Sequence, residues 1–208
     1  MDSINQSRLD VITQRHGDGW LIRQFEINFP TNAEEFVSRL YAEIKRIVEH
    51  LESTAHDKQD DGEDKLTRYV VGLLNQTGYQ ATHDQDQKGH TDLIVCSGDY
   101  KWLSEAKRHS DYDWLFHGLQ QLQTYATGRE AGYGLLIYIF NQNASAVMDE
   151  WRRRLTQSEN NHTKCIKDGD GNESLTFWSI HEHQASGTDM NTKHIGVSLY
   201  CQPRPLRD

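Results

Sequence analysis

The stretch from 133 to 140 constrains the fold more than any other part of this sequence. It reads YGLLIYIF and is almost wholly apolar. A strand with apolar residues on both faces is typical of the centre of a sheet that is covered on both sides. No run in the chain approaches the roughly 18 apolar residues of a membrane span. We therefore predict an α/β fold with a central sheet between layers of helices, and no membrane partner.

Hydrophobic periodicity predicts the remaining elements. Behind a capping box formed by Thr31 and Glu34, apolar residues recur at helical spacing and predict a long amphipathic helix that continues to about 53. Further helices are predicted over 62–75, from a cap at Ser110 onwards, and over 145–155. Strands are predicted at 79–83, 91–96, 101–107, 175–181 and 195–201, with a further short strand at 19–28. The stretch after Gln157 is polar and loop-like before the last two strands.

A polar, acidic stretch from 53 to 61 predicts a linker. We therefore expect an N-terminal appendage at 1–56, which carries the long helix, and a main domain at 57–208 with its core at about 62–155. The apolar stripe of the 31–53 helix can dock on the main domain, on a second copy of the chain in a homo-oligomer, or on a partner protein.

Charge and cysteine usage limit the partners. The formal net charge of −9 opposes nucleic-acid binding unless charges of one sign are segregated, and basic residues do gather at 107–108 and 152–154. The cysteines Cys96, Cys165 and Cys201 are too few and too widely spaced for an iron–sulfur cluster or a disulfide framework. The N-terminus lacks the layout of a signal peptide, which predicts a cytoplasmic location but leaves export by a route without such a signal open.

Two further motifs are read as structural. His181 and His183 have no third ligand at a sensible spacing, so no zinc is expected. The stretch 168–172 alternates Asp and Gly but lacks the glycine and the bidentate acid of a calcium loop, and we predict a hairpin turn there.

A tight turn brings charged residues together. Ser97-Gly98-Asp99-Tyr100 offers Gly-Asp as the central residues of a β-hairpin. If its first and last residues pair, Asp92 lies directly opposite Glu105 on one face. Lys107, two residues beyond Glu105, points to that same face. The hairpin alone therefore predicts two carboxylates and an ammonium in close proximity.

This combination of side chains favours metal-assisted chemistry. Two carboxylates so close repel, and one takes up a proton unless a cation is present. Mg²⁺ or Mn²⁺ prefers such oxygens and can activate a water for phosphodiester hydrolysis, while Lys107 offsets charge that develops on the phosphate. Glu63, at the start of the 62–75 helix, shares a helical face with Leu66 and Val70, so it is predicted to point towards the end of the hairpin.

The motifs Gly89-x-x-Asp92, Glu105-x-Lys107 and Gln121-Leu-x-x-Tyr125, in this order behind a helix acid, resemble those of the RecB-like branch of the PD-(D/E)XK nucleases. The resemblance covers about 62–140. No proline precedes Asp92, and the four cysteines of the iron–sulfur members of this branch are absent.

The resemblance implies a restriction-endonuclease-like central mixed sheet flanked by helices. It further implies a function for each matching residue. Asp92, Glu105, the backbone carbonyl of Ala106 and Glu63 would bind metal, Lys107 would assist the nucleophile, and Gln121 and Tyr125 would support the site or the DNA strand.

Residues near the motifs have alternative interpretations. His90 could contact metal or phosphate, although a structural histidine is the more ordinary explanation. Arg108 could bind nucleic acid or support the site. Tyr112, Trp114 and His117 could stack on bases, with helix packing as the competing explanation.

The resulting hypothesis is a Mg²⁺-dependent deoxyribonuclease in genome defence or DNA processing. The alternative is a non-catalytic nuclease-fold subunit or binding module with the 31–53 helix as its interface.

Overall fold

The computed structural model describes residues 10–11, 14, 18–83, 85–86, 90–157, 163–168 and 175–202. Its helices are α1 (Asp18–Asn28), α2 (Ala33–Ser53), α3 (Glu63–Thr77), α4 (Tyr112–Tyr125) and α5 (Ala144–Gln157). Its strands are β1 (Gln80–Thr82), β2 (Gln85–Asp86), β3 (His90–Thr91), β4 (Leu93–Ser97), β5 (Tyr100–Arg108), β6 (Gly132–Ile139), β7 (Thr163–Asp168), β8 (Thr176–Glu182) and β9 (Asp189–Ser198). Within these ranges, no helix is both long enough and apolar enough to cross a membrane.

The chain forms an α/β fold around a mixed sheet in the order β1-β4-β5-β6-β9-β8-β7. Strands β5, β6 and β9 run parallel, and the other neighbours pair antiparallel. Strand β6 lies in the middle, and all of its residues are buried. Helices α2 and α3 pack on one face and helices α4 and α5 on the other. The prediction of a central strand covered on both sides is therefore confirmed.

The predicted hairpin register between β4 and β5 is confirmed, but the ladder ends before Asp92, so the predicted pairing of Asp92 opposite Glu105 does not form. Ser97 pairs with Tyr100, and the ladder continues to Leu93 opposite Ser104. Gly98 has a φ of 55°, which a glycine at the first central position of a type II′ turn adopts without strain. Strand β4 begins at Leu93, so the edge of β5 beyond Ser104 no longer has β4 as its partner.

Helix α2 uses its apolar stripe within the chain. Its buried side chains belong to the same hydrophobic cluster as those of α3 and the sheet. The Tyr41 hydroxyl donates to the carbonyl of Tyr133 at 2.8 Å and accepts from the Trp102 indole at 2.9 Å. Because this stripe packs inside, a partner would have to use the exposed residues of α2. The boundary at 56/57 and such an interface stay predictions.

The capping box of α2 was predicted one residue too early. Asn32, not Thr31, is the N-cap, and its side chain accepts from the Glu35 N–H at 2.8 Å. The Glu35 carboxylate, not that of Glu34, reaches back to accept from the Thr31 N–H at 2.8 Å. An asparagine is at least as good an N-cap as a threonine, so the neighbouring Asn takes the position.

The predicted strand at 19–28 was wrong, because this stretch is helix α1. The contacts that hold it recur at helical spacing. Arg23 forms an ion pair with Glu43, Gln24 Nε2 donates to the carbonyl of Thr77 at 2.9 Å, and Ile27 is buried. Tertiary contacts with α2 and α3 therefore override a loose alternation.

The polar region after α5 contains more strand than predicted. Strand β7 lies in the stretch predicted to be loop-like, and β9 begins at Asp189 instead of 195. For β9, a buried polar contact accounts for the difference, since Ser179 Oγ in β8 lies 2.6 Å from both His181 Nε2 and His194 Nε2. The predicted turn at 168–172 lies largely outside the described residues.

Candidate active site

Three carboxylates surround one ammonium at the end of strand β5. Lys107 Nζ lies 3.3 Å from Asp92 Oδ2, 3.4 Å from Glu105 Oε2 and 3.5 Å from Glu63 Oε1. Asp92 precedes β4, Glu105 and Lys107 share one face of β5, and Glu63 begins α3. The structure thus brings together the four residues that the sequence analysis singled out as catalytic. We call them the Lys107 cluster.

The free edge of β5 holds two of these acids in place. The Ala106 N–H donates to Asp92 Oδ2 at 2.9 Å, and the Arg108 N–H donates to Glu63 Oε2 at 2.6 Å. The N–H and C=O of one strand residue point to the same side. The carbonyl of Ala106 is therefore directed to the side on which both carboxylates lie. The end of β4 makes this arrangement possible, because a longer ladder would pair these backbone groups.

Glu105 is the most perturbed member of the Lys107 cluster. It is fully buried, and its Oε1 has no hydrogen-bond partner among the described residues. Burial, reinforced by the charge of Asp92 and a hydrogen bond with it, raises the pKa of Glu105 to about 9, although Lys107 acts in the opposite direction. At neutral pH one carboxyl of the pair therefore keeps its proton, as expected for close acids without a cation.

Lys107 is charged but loosely held. Burial lowers its pKa, yet the carboxylates of Asp92, Glu105 and Glu63 outweigh burial and raise the pKa above its usual value. Its ammonium lies 3.3–3.5 Å from the carboxylate oxygens. A charge-assisted hydrogen bond is shorter, at about 2.7–2.9 Å. The ammonium can therefore turn towards another anion without losing a short hydrogen bond.

A glycine of α4 makes room for the Lys107 side chain. A Cβ placed on Gly118 would lie 2.6 Å from Lys107 Cγ and 2.8 Å from its Cε. The aliphatic part of the lysine thus lies directly against the helix backbone. The sequence alone did not reveal this contact. Its signal was a glycine in a helix interior, which often marks a close approach.

No protein-family model, curated protein or solved structure matches this chain. In the described ranges, no group of three or more His, Cys, Asp or Glu side chains is arranged to hold a metal ion. The acids of the Lys107 cluster converge instead on the lysine ammonium. Any function must therefore be inferred from the chemistry of these residues.

The predicted supporting residues contact the cluster only in part. Gln121 Nε2 lies 3.5 Å from the hydroxyl of Tyr125, and neither side chain hydrogen-bonds to the cluster. On α4, Gln121 lies about one turn beyond Gly118, and Tyr125 lies about one turn further on. The Arg108 guanidinium lies over the Phe140 ring, 4.2 Å from its centroid, so only its backbone serves the site.

The predictions for histidines concern His90 near the site and the pair His181 and His183 in and after β8. The backbone of His90 lies in β3, but its side chain is outside the described part of the chain. His181 is buried beside Ser179, and His183 contacts Ser186, so both lie in local hydrogen-bond networks of β8 and its turn.

Trp114 borders the Lys107 cluster and is held there by the start of α4. Its backbone N–H donates to Asp111 Oδ1 at 2.8 Å. Asp111 therefore caps this helix, not Ser110 as predicted. Aspartate caps a helix as well as serine does, and its negative charge also suits the positive N-terminal end of the helix. The Trp114 indole Nε1 donates to Glu63 Oε2 at 3.4 Å, and Lys107 Nζ lies 5.4 Å from the ring centroid.

Tyr138 is a further neighbour that the sequence analysis did not single out. Its hydroxyl lies 3.2 Å from Thr67 Oγ1 within the core. Burial raises the pKa of Tyr138, and the charges of Asp92 and Glu63 add to this effect. The apolar sequence of β6 does not indicate that Tyr138 lies near these acids, because this proximity depends on how α3 packs on the sheet.

Proposed function

We propose that this chain is a divalent-metal-dependent nuclease with a restriction-endonuclease-like fold that hydrolyses phosphodiester bonds in DNA. One observation carries the proposal: Glu105 is fully buried with an unpartnered oxygen, beside two further carboxylates and a lysine. An unsatisfied buried polar atom costs about 1–3 kcal/mol, and more where charge is involved. Such a cost is expected at a functional site rather than in a structural ion pair.

The chemistry of the donor set suits a hard cation, although in the structure the acids converge on the Lys107 ammonium. Asp92, Glu105, Glu63 and the carbonyl of Ala106 would hold Mg²⁺ or Mn²⁺, since these ions prefer carboxylate and carbonyl oxygens. A metal held by these oxygens would supply polarisation of a phosphoryl oxygen and a bound water of lowered pKa. Glu105 would release its proton to serve as a ligand. The backbone N–H groups of Ala106 and Arg108 keep Asp92 and Glu63 oriented.

Lys107 has a separate role in the proposed mechanism. Its ammonium donates a hydrogen bond to the attacking water or to a phosphate oxygen and offsets the negative charge that develops in the transition state. Because its contacts with the three acids are long, the ammonium can turn towards the water or the phosphate. Water attacks the phosphorus directly as the P–O bond to the leaving sugar oxygen breaks, so no covalent enzyme intermediate forms. The motif order shared with RecB-like nucleases supports DNA as substrate, in genome defence or DNA processing.

A non-catalytic nuclease-fold subunit is the second proposal, and the net charge of −9 favours it. To separate the two, purified protein is incubated with supercoiled plasmid, linear duplex and single-stranded DNA in Mg²⁺ or Mn²⁺. We expect cleavage that stops in EDTA and returns with excess Mg²⁺. A Glu105→Gln preparation made in parallel reveals any contaminating nuclease. Intact DNA under all of these conditions would contradict the enzymatic proposal and support the subunit.

Gly118→Ala is expected to reduce Mg²⁺-dependent cleavage by about 10- to 100-fold, because displacing a catalytic group by roughly 1 Å is enough for such a loss. The new methyl group would push Lys107 away from the acids. Stability should change little, since the helix propensity gained from alanine, about 1 kcal/mol, offsets part of the clash. Cleavage rates and thermal unfolding measure the two effects.

Gly72→Ala is the matched control for this substitution. Gly72 lies in α3, where an added Cβ meets no atom within 4 Å. We expect this variant to be more stable by up to about 1 kcal/mol and to cleave at the wild-type rate. Equal activities of the two variants would show that the position of Lys107 does not matter.

A further inference from the structure

Trp114 is exposed where a tryptophan would ordinarily be buried. The residue is 40% exposed, and it belongs to none of the described hydrophobic clusters. Tyr112 and Phe116 on the same helix do pack against the core below α4. Helix packing therefore accounts for these two aromatic residues and leaves the exposed position of Trp114 unexplained.

His117 stacks on Trp114. The two rings are 5.2 Å apart between centroids and nearly parallel, at 14°. His117 is itself exposed, so this stacked pair is open to solvent on the side of the histidine ring. We call the two residues the Trp114–His117 platform.

The platform is fixed to the Lys107 cluster. The indole Nε1 of Trp114 donates to Glu63, and its ring lies 5.4 Å from the ammonium of Lys107. A phosphate that contacts Lys107 therefore brings its adjoining nucleoside to the edge of this aromatic surface. Stacking of a base on an aromatic side chain is independent of sequence, because every base has a flat π face.

We propose that the Trp114–His117 platform stacks on an unpaired base next to the scissile phosphate, which makes single-stranded DNA or a frayed end the preferred substrate. This inference rests on the proposed nuclease function. In a duplex, each base face is covered by its neighbours, and uncovering one costs a few kcal/mol. A single strand offers the same base without that cost.

The kinetic experiment compares one labelled sequence as a single strand and as a blunt duplex in Mg²⁺. Wild type should cleave the single strand with a kcat/KM at least about tenfold higher, a factor within the cost of uncovering a base. Trp114→Ala should raise KM for the single strand by about 5- to 100-fold and should narrow the preference for the single strand over the duplex. Trp114→Phe keeps a flat ring but loses the N–H that donates to Glu63. Its KM for the single strand should therefore stay close to that of wild type.

Tyr69→Ala is the matched control. Tyr69 is 41% exposed and stacks on His50, but its contacts are with His50 and Lys58, not with the cluster. This variant should behave as wild type. Equal cleavage of both substrates, or a Trp114→Phe variant as impaired as Trp114→Ala, would overturn the inference. In the second case the bond to Glu63, not stacking, would be what matters.

A binding measurement separates this inference from the proposed function. In the Glu105→Gln variant, a single-stranded oligonucleotide should quench tryptophan fluorescence, and adding Trp114→Phe should remove most of that quench. If wild type cleaves nothing, the proposed nuclease function fails, but the quench still tests the platform. If wild type cleaves and Trp114 gives no quench, the platform alone is refuted.

Discussion

Glu105→Gln is expected to abolish DNA cleavage while the protein stays folded. Glutamine has the same size and can still hydrogen-bond to Asp92, but it cannot offer a carboxylate to a metal. Because a metal ion contributes several kcal/mol to such a transition state, we expect a loss of at least about 1,000-fold in rate. Single-turnover cleavage in Mg²⁺ measures the loss, and circular dichroism checks the fold.

Lys107→Met should reduce cleavage by at least about 100-fold, the effect typical of removing one donor to a transition-state oxyanion. Methionine keeps an apolar stem against Gly118, so the change removes mainly the charge. Lys101→Ala is the control, because Lys101 lies on the same strand and face but about 20 Å away, at roughly 3.3 Å per residue. It should cleave normally. A folded Glu105→Gln or Lys107→Met variant with wild-type activity would eliminate the mechanism.

The metal-free protein should lose stability as the pH rises from 7 to 9, and Glu105→Gln should abolish most of that loss. The pKa of Glu105, raised from 4.5 to about 9, is higher folded than unfolded. The folded state therefore binds the proton more tightly, and stability falls as the pH rises between these values. Each pH unit in this window costs up to about 1.4 kcal/mol. At pH 8.5 we expect Glu105→Gln to be more stable than wild type by roughly 2 kcal/mol or more.

Denaturant unfolding in EDTA and in Mg²⁺ tests this at several pH values. Stabilisation by Mg²⁺ should grow with pH in wild type, because binding requires the carboxylate, and should be weak in Glu105→Gln. Working above pH 7 avoids His194, whose pKa is lowered by burial from 6.5, so that it costs stability only as the pH falls below that value. Identical unfolding midpoints of the two proteins at pH 8.5 in EDTA would show that Glu105 ionises freely.

Only part of the candidate site could be predicted from residues that are close in sequence. The register of the β4–β5 hairpin follows from Gly98-Asp99 and from strand periodicity, so Asp92, Glu105 and Lys107 could be grouped from the sequence. Glu63 was placed less directly, through the helix face it shares with Leu66. Neighbours such as Gly118 and Tyr138 approach the cluster only because α4 and α3 pack on opposite faces of the sheet.

The amino-acid sequence by itself determined the central strand β6, the hairpin and the long helix α2, since apolar periodicity and turn residues act over a few neighbouring positions. Only the tertiary structure decided that 18–28 is helical and that β7 and the start of β9 are strands. There, polar side chains such as Ser179 and His194 are buried because they hydrogen-bond to each other across strands. Such pairing satisfies groups that are distant in sequence, and no local pattern can reveal it.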